Sequence, residues 1–428
     1  MINVDVSRAE NFLLEENLRK AKVAAADALQ TVRQENGPGA EWLGWRTLLD
    51  DPNDAILEQL DRLGAAIREE ADVFIICGIG GSYLGARAVI EALSPSFSQQ
   101  TPEIIYAGHH MSGEYLQELL QYLDTPKADG EPKSVYCNVI SKSGTTLETA
   151  LSFRKIRKWM ANTYPDSLQQ RIICTTSSKG GALNKLIDEY GFQKFVIPDD
   201  VGGRFSVLTP VGLLPIAVAG IDIRSLFYGA VSEYEMLENE AEMLINYAAV
   251  KYALYQKGKQ VDVLTSFEQE LSGLCGWLQQ LLGESEGKNK KGMLPVTAGY
   301  STDLHSLGQF MQDGSRIMIE TFISIQKSGT SLTVEEAGSN NDNLNYLAGR
   351  SFHDINSKAR EGTISAHTEG GVPCITVNME VLNASQVGAF IYFYELFTAV
   401  YCYCLGVNPF TQPGVENYKK RMYKLLDK

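Results

Sequence analysis

Val73-Phe74-Ile75-Ile76-Cys77-Gly78-Ile79-Gly80-Gly81-Ser82-Tyr83-Leu84-Gly85 is the stretch whose reading decides the fold. Five apolar residues run without a break into a glycine turn, and residues 86–93 then follow at helical spacing. A short continuous apolar run closed by a turn reads as a strand buried on both faces. The same order recurs downstream. Residues 135–140 lead into Ser141-Lys142-Ser143-Gly144-Thr145-Thr146 and a helix over 151–160, and residues 172–174 lead into Thr175-Thr176-Ser177-Ser178 and another helix. After a helical stretch near 210–255 a second series begins. Val261-Asp262-Val263-Leu264 precedes a helix over 268–282, and apolar runs follow at 317–325 and 374–377, with a long helix from about 384 to 404. Strands alternating with helices predict an α/β protein with parallel sheets flanked by helices, and two such series predict two related lobes.

Upstream, residues 1 to about 70 read as helices, with Leu13, Leu14 and Leu18, then Ile56, Leu60, Leu63 and Ile67, at helical spacing. The sequence Glu35-Asn36-Gly37-Pro38-Gly39 breaks them. The expected division is a helical segment 1–68, a first α/β domain 69–230, a second 231–405 and a C-terminal loop and basic amphipathic helix 406–428.

The formal net charge of -14, with no long Lys/Arg block, disfavours nucleic acid and anionic membranes as partners. An anionic substrate must then be held by a local site against the global field. No basic region with an apolar core opens the chain, and no window reads as a membrane span. The seven cysteines sit in apolar runs, as reduced buried thiols do, and the expected compartment is the cytoplasm.

Several loops could carry chemistry. The 78–85 turn offers glycines for close approach to a ligand and a helix start that favours an anion. A dinucleotide could use the same physics, but the GxGxxG spacing is imperfect and no convincing acid follows about twenty residues on. The loop 141–146 puts four hydroxyls and one ammonium at a strand's C-terminal end, which suits one phosphate, although hydroxyl-rich turns also cap helices. Asp199-Asp200-Val201-Gly202-Gly203-Arg204-Phe205-Ser206 carries an arginine that could steady an oxyanion or could pair with the neighbouring aspartates. In Gly283-Glu284-Ser285-Glu286-Gly287-Lys288 either acid can serve as a base only if it faces a cleft. His109, His110, His305, His353 and His367 show no metal-ligand spacing, so no metal is expected.

Taken together and in order, these motifs resemble the phosphoglucose isomerase family in its compact bacterial form. Residues 200–206 and 406–420 resemble its two signature stretches, and 78–85, 141–149 and 284–288 resemble its other motifs. The resemblance implies two sugar isomerase (SIS) domains and a homodimer. Its active site lies between the lobes and is completed by the neighbouring subunit. The implied reaction is reversible aldose–ketose isomerisation of glucose 6-phosphate to fructose 6-phosphate through an enediol, in glycolysis and gluconeogenesis, without a cofactor.

Carried over by position, Ser141, Lys142, Ser143, Thr145 and Thr146 resemble the phosphate cradle, with Gly81 and Ser82 beside it. Glu284 resembles the base, and Arg204, next to Gly203, resembles the residue that steadies the enediolate. His305, from the other subunit, and Lys419 resemble the ring-opening pair. Gln280 and Gln412 resemble substrate contacts, and Glu148 the residue that orients His305. Glu286 and Thr411 depart from the family pattern. A SIS-type sugar-phosphate sensor and a dinucleotide enzyme are the competing readings, and mannose 6-phosphate is a possible side substrate.

Overall fold

In chain order the strands of the computed structural model, which describes residues 1–97 and 101–427, are β1 (Asn3–Asp5), β2 (Val73–Cys77), β3 (Glu103–Ala107), β4 (Val135–Ile140), β5 (Ile172–Ser177), β6 (Gln193–Ile197), β7 (Val261–Ser266), β8 (Leu294–Gly299), β9 (Met318–Ile325) and β10 (Cys374–Met379). They form two five-stranded sheets. One has the order β3-β2-β4-β5-β6 and is parallel throughout, and the other has the order β1-β10-β9-β7-β8. In the second sheet only β1 runs antiparallel, against β10. The expected α/β class with parallel sheets flanked by helices is therefore the architecture found.

The two sheets repeat one strand plan. From β2 the chain steps outward to β3, then returns to β4 on the other side, so the order reverses between β2 and β4. From β7 it steps to β8 and returns to β9 in the same manner. Such switch points open a crevice at the strands' C-terminal ends. There the 78–82 turn and the 141–146 loop leave the first sheet, and the segment leading to helix Ser272–Glu286 leaves the second.

The chain divides into two compact units, Gly39–Tyr234 and Met1–Pro38 with Glu235–Lys428. This differs from the segment expected over 1–68, which is split near Pro38. Residues before the break join the second sheet through β1, and Arg33 donates to the carbonyls of Leu237 (2.5 Å) and Glu238 (2.9 Å). Residues after it join the first unit. Gly64 on helix Asp54–Glu70 lies so close to Ala217 that a Cβ there would come within 2.8 Å of the alanine's.

The second unit is built around helix Ala384–Cys404, which supplies buried residues along almost its whole length. By length and composition this helix could cross a membrane, contrary to the expectation that no segment reads that way. Its most apolar 18-residue window is 89% buried inside the protein, and Glu395 stands fully buried in it. It is a core helix. Six of the seven cysteines are buried and all are free, as their apolar settings suggest.

Candidate active site

In the first unit, three loops meet at the C-terminal ends of the strands. Gly81 is required there because a Cβ would fall 2.0 Å from the carbonyl oxygen of Gly203 and 2.7 Å from the amide nitrogen of Arg204. Gly85 likewise leaves room for Val207, whose Cγ2 lies 2.3 Å from the Cβ position. The glycine turn and the arginine turn are thus packed backbone to backbone, so the glycines serve protein packing as well as any ligand. Arg204 itself is buried, 3% exposed, with its guanidinium 5.5 Å from the Phe205 ring centroid.

The 141–146 loop is held in shape by its own hydroxyls. Ser141 Oγ accepts from the Gly144 amide at 3.0 Å, and Ser143 Oγ accepts from both the amide and the hydroxyl of Thr145 at 3.1 Å. From beneath, Thr176 Oγ1 donates to the Ser141 carbonyl at 2.8 Å. Gly144 adopts φ +69°, and a Cβ there would meet the Leu183 amide at 2.5 Å, so glycine is needed twice over. Thr146 stands at the N-cap of helix Leu147–Thr163 without a side-chain cap bond, so it is not spent on capping. Exposed hydroxyls at Ser143 and Thr145 beside an uncapped helix start make a site suited to an oxyanion.

Lys142 is used differently from the simple expectation of a free phosphate donor. Its ammonium donates to the carbonyls of Asp199 (2.8 Å), Val201 (3.3 Å) and Pro198 (3.4 Å) and lies 4.8 Å from the Trp42 ring centroid. It therefore ties the hydroxyl loop to the arginine loop. Partial burial lowers its pKa, against the opposing pull of Asp199 and Asp200. Asp199 accepts from Ser178 Oγ at 2.8 Å, while Asp200 packs against Gly44.

In the second unit, helix Ser272–Glu286 ends in the acidic pair. Gln280 and Glu284 sit one turn apart, and Gln280 Nε2 donates to Glu284 Oε1 at 3.1 Å. Glu284 is half-buried, whereas Glu286 has no exposed surface. Two residues apart on a helix means about 200° of rotation, so the two acids cannot face the same way. Glu286 Oε2 accepts from the Met293 amide at 2.7 Å, and Oε1 lies 3.4 Å from Lys251, which also pairs with Asp262 at 2.9 Å. Burial raises the Glu286 pKa, with Lys251 opposing. Glu286 is closed off from any bound molecule, which leaves Glu284 as the acid of this turn able to meet one. Gln280 Oε1 is buried without a hydrogen-bond partner among the described residues, an acceptor that a ligand hydroxyl would satisfy.

Two lysines absent from the expected site organise this end of the helix. Lys288 Nζ donates to the carbonyls of Ser285 (2.5 Å), Glu284 (2.9 Å) and Pro409 (3.4 Å), so it caps the helix and joins it to the loop that carries Gln412. Lys251 anchors the buried acids from below. Its signal in the sequence was a lone cation inside the apolar run Ala248-Ala249-Val250-Lys251-Tyr252-Ala253-Leu254.

The other expected residues stand in the open. His305 is exposed on the turn Thr302–His305, its side chain making no hydrogen bond or ion pair among the described residues. Gln412 is exposed, and Lys419 is half-buried on helix Val415–Leu425 with Glu416 at 3.2 Å. That helix begins at Val415, two residues after Pro413. Glu148 lies in the first turn of the helix that follows the hydroxyl loop.

Residues 58–428 match the family Phosphoglucose isomerase. The chain is 44% identical, over all its length and 96% of the relative's, to a glucose-6-phosphate isomerase of Staphylococcus saprophyticus. It is 43% identical, with the same coverage, to one of Fusobacterium nucleatum. Among solved structures, a hypothetical protein from Thermus thermophilus superimposes over the whole of both chains with a TM-score of 0.88 at 27% identity. A glucose-6-phosphate isomerase from Chlamydia trachomatis shares the fold, with a TM-score of 0.76 over 97% of this chain and 86% of that one at 18% identity.

Proposed function

This chain belongs to the phosphoglucose isomerase family, and from that premise we propose that it interconverts glucose 6-phosphate and fructose 6-phosphate, with Glu284 carrying the proton between C1 and C2. The observation that carries the activity is the 44% identity to a glucose-6-phosphate isomerase across the entire chain. What supports Glu284 over its neighbour is the burial and bonding of Glu286.

The chemistry needs an open-chain sugar, removal of a weakly acidic proton beside a carbonyl, and its return to the adjacent carbon. One carboxylate lying over the face of a planar enediolate can do both transfers, a contribution of about a hundred- to ten-thousand-fold. Arg204, a fixed cation in a buried turn, binds the developing oxyanion more strongly than the ground-state carbonyl. Ser141, Ser143, Thr145 and Thr146 hold the phosphate, with Ser82 assisting. Lys142 contributes through the loop it braces and through its charge. Gln280 and Gln412 contact sugar hydroxyls, and His305 and Lys419 open the ring.

The protein works as a cytoplasmic homodimer in glycolysis and gluconeogenesis, with His305 completing the neighbouring subunit's site and Glu148 orienting it. An exposed histidine whose side chain has no partner among the described residues supports that exchange. The test is a coupled assay on fructose 6-phosphate in the presence of a chelator. Glu284→Gln is expected to lose about a hundred-fold or more in kcat with substrate binding kept, while Glu286→Gln keeps most turnover. The opposite ranking would move the base to Glu286.

A further inference from the structure

Behind the hydroxyl loop, between helices Leu147–Thr163 and Gly181–Tyr190, the first unit holds a cavity of about 300 Å³. Val139, Phe153 and Leu183, all buried in the unit's core, form its floor, with Leu186 at the side. Its lining includes three titratable residues, Arg154, Arg157 and Lys185, and all are cations. None of them forms an ion pair with a carboxylate among the described residues, and Arg157 is held 4.9 Å over the Tyr190 ring. Other helical cations do meet a carboxylate, as Arg62 does Glu58 and Arg87 does Glu91. Three unpaired cations around one apolar hollow, in a chain of net charge -14, form a local positive site.

The hollow differs from the phosphate cradle. Ser143, Thr145, Thr146 and Arg204 are absent from its lining, and of the hydroxyl loop Ser141 and Gly144 reach it. A hexose phosphate suits it poorly, because sugar hydroxyls would lie unpartnered against Phe153, Leu183 and Leu186. Three cations match a dianionic head better than a single carboxylate, and the volume is at the small end of ligand pockets, enough for a body of about one ring. We propose that this cavity is a second ligand site, for a phosphate monoester with an apolar body. Because Ser141 Oγ holds the Gly144 amide and both residues line the cavity, its occupant also changes the affinity of the cradle for sugar phosphate.

Phenyl phosphate is the probe. Calorimetric titration of the full chain, saturated with an equilibrated mixture of fructose 6-phosphate and glucose 6-phosphate, is expected to show saturable binding. Arg154→Glu combined with Lys185→Glu should weaken it about tenfold or more, and Leu186→Trp, which fills the hollow without touching charge, should abolish it. In the isomerase assay, saturating probe should shift KM in the wild type and not in these variants. Three results overturn the proposal: no saturable binding, binding displaced by sugar phosphate and indifferent to the variants, or conversion of a dimer to monomers by the charge reversals. In the last case the face belongs to a second copy. The titration does not depend on turnover, so a failed isomerase reading and a failed second site are distinguishable.

Discussion

Glu395 stands in the middle of the core helix Ala384–Cys404 with no exposed surface, and neither carboxyl oxygen has a hydrogen-bond partner among the described residues. Burial alone pushes its pKa well above the usual carboxylate value, so the folded protein holds it as a neutral acid. The unfolded chain releases that proton above about pH 4.3. The native state therefore binds more protons, and this group lowers stability as pH rises. The slope is about 1.4 kcal/mol per pH unit while the folded carboxyl stays protonated. Glu395→Gln removes the titration while keeping the shape. Between about pH 5.5 and about pH 7.5 the stability of the variant relative to the wild type should rise, with about 3 kcal/mol as the ceiling set by that slope. How the glutamine amide is accommodated shifts both values equally and cancels in the difference. Urea unfolding followed by circular dichroism at the two pH values measures it. The infrared band of a protonated carboxyl should vanish in the same variant. A difference that stays flat with pH, or falls, would show that Glu395 is ionised in the fold and refute the reasoning.

Other expectations concern the site. Lys142→Ala with Ser143→Ala should raise KM for fructose 6-phosphate by about tenfold with a smaller effect on kcat; an unchanged KM would reduce the loop to a structural turn. Inactive Glu284→Gln and His305→Ala chains, co-expressed, should recover about a quarter of wild-type activity, because half the dimers are mixed and each mixed dimer regains one intact site of its two. No recovery would place His305 in its own subunit's site. Gly81→Ala should cost about 1–3 kcal/mol and raise KM, since the methyl must displace the Gly203 backbone it would meet at 2.0 Å. Normal melting and normal kinetics in that variant would show that the two turns are not coupled.

The strands legible in the sequence, β2, β4, β5, β7, β9 and β10, are those with strand neighbours on both sides. Their near-continuous apolar runs are a direct record of burial on both faces. The four that were not legible, β1, β3, β6 and β8, are the four sheet edges. There one side lacks a strand neighbour and the burial pattern is mixed, as in Glu103–Ala107 and Gln193–Ile197, so the local signal is weak and pairing supplies the identity. The same division runs through the site. Residue types and their spacing determined the hydroxyl loop, the buried arginine turn and the acidic helix end, because each is a local device. Which acid faces outward, what Lys142 grips, why Gly81 must be glycine and where the first 38 residues belong were decided only in three dimensions. Each depends on an atom supplied from a distant part of the chain, such as the Lys251 ammonium, the Asp199 carbonyl, the Gly203 backbone or strand β10, and no local pattern encodes that meeting.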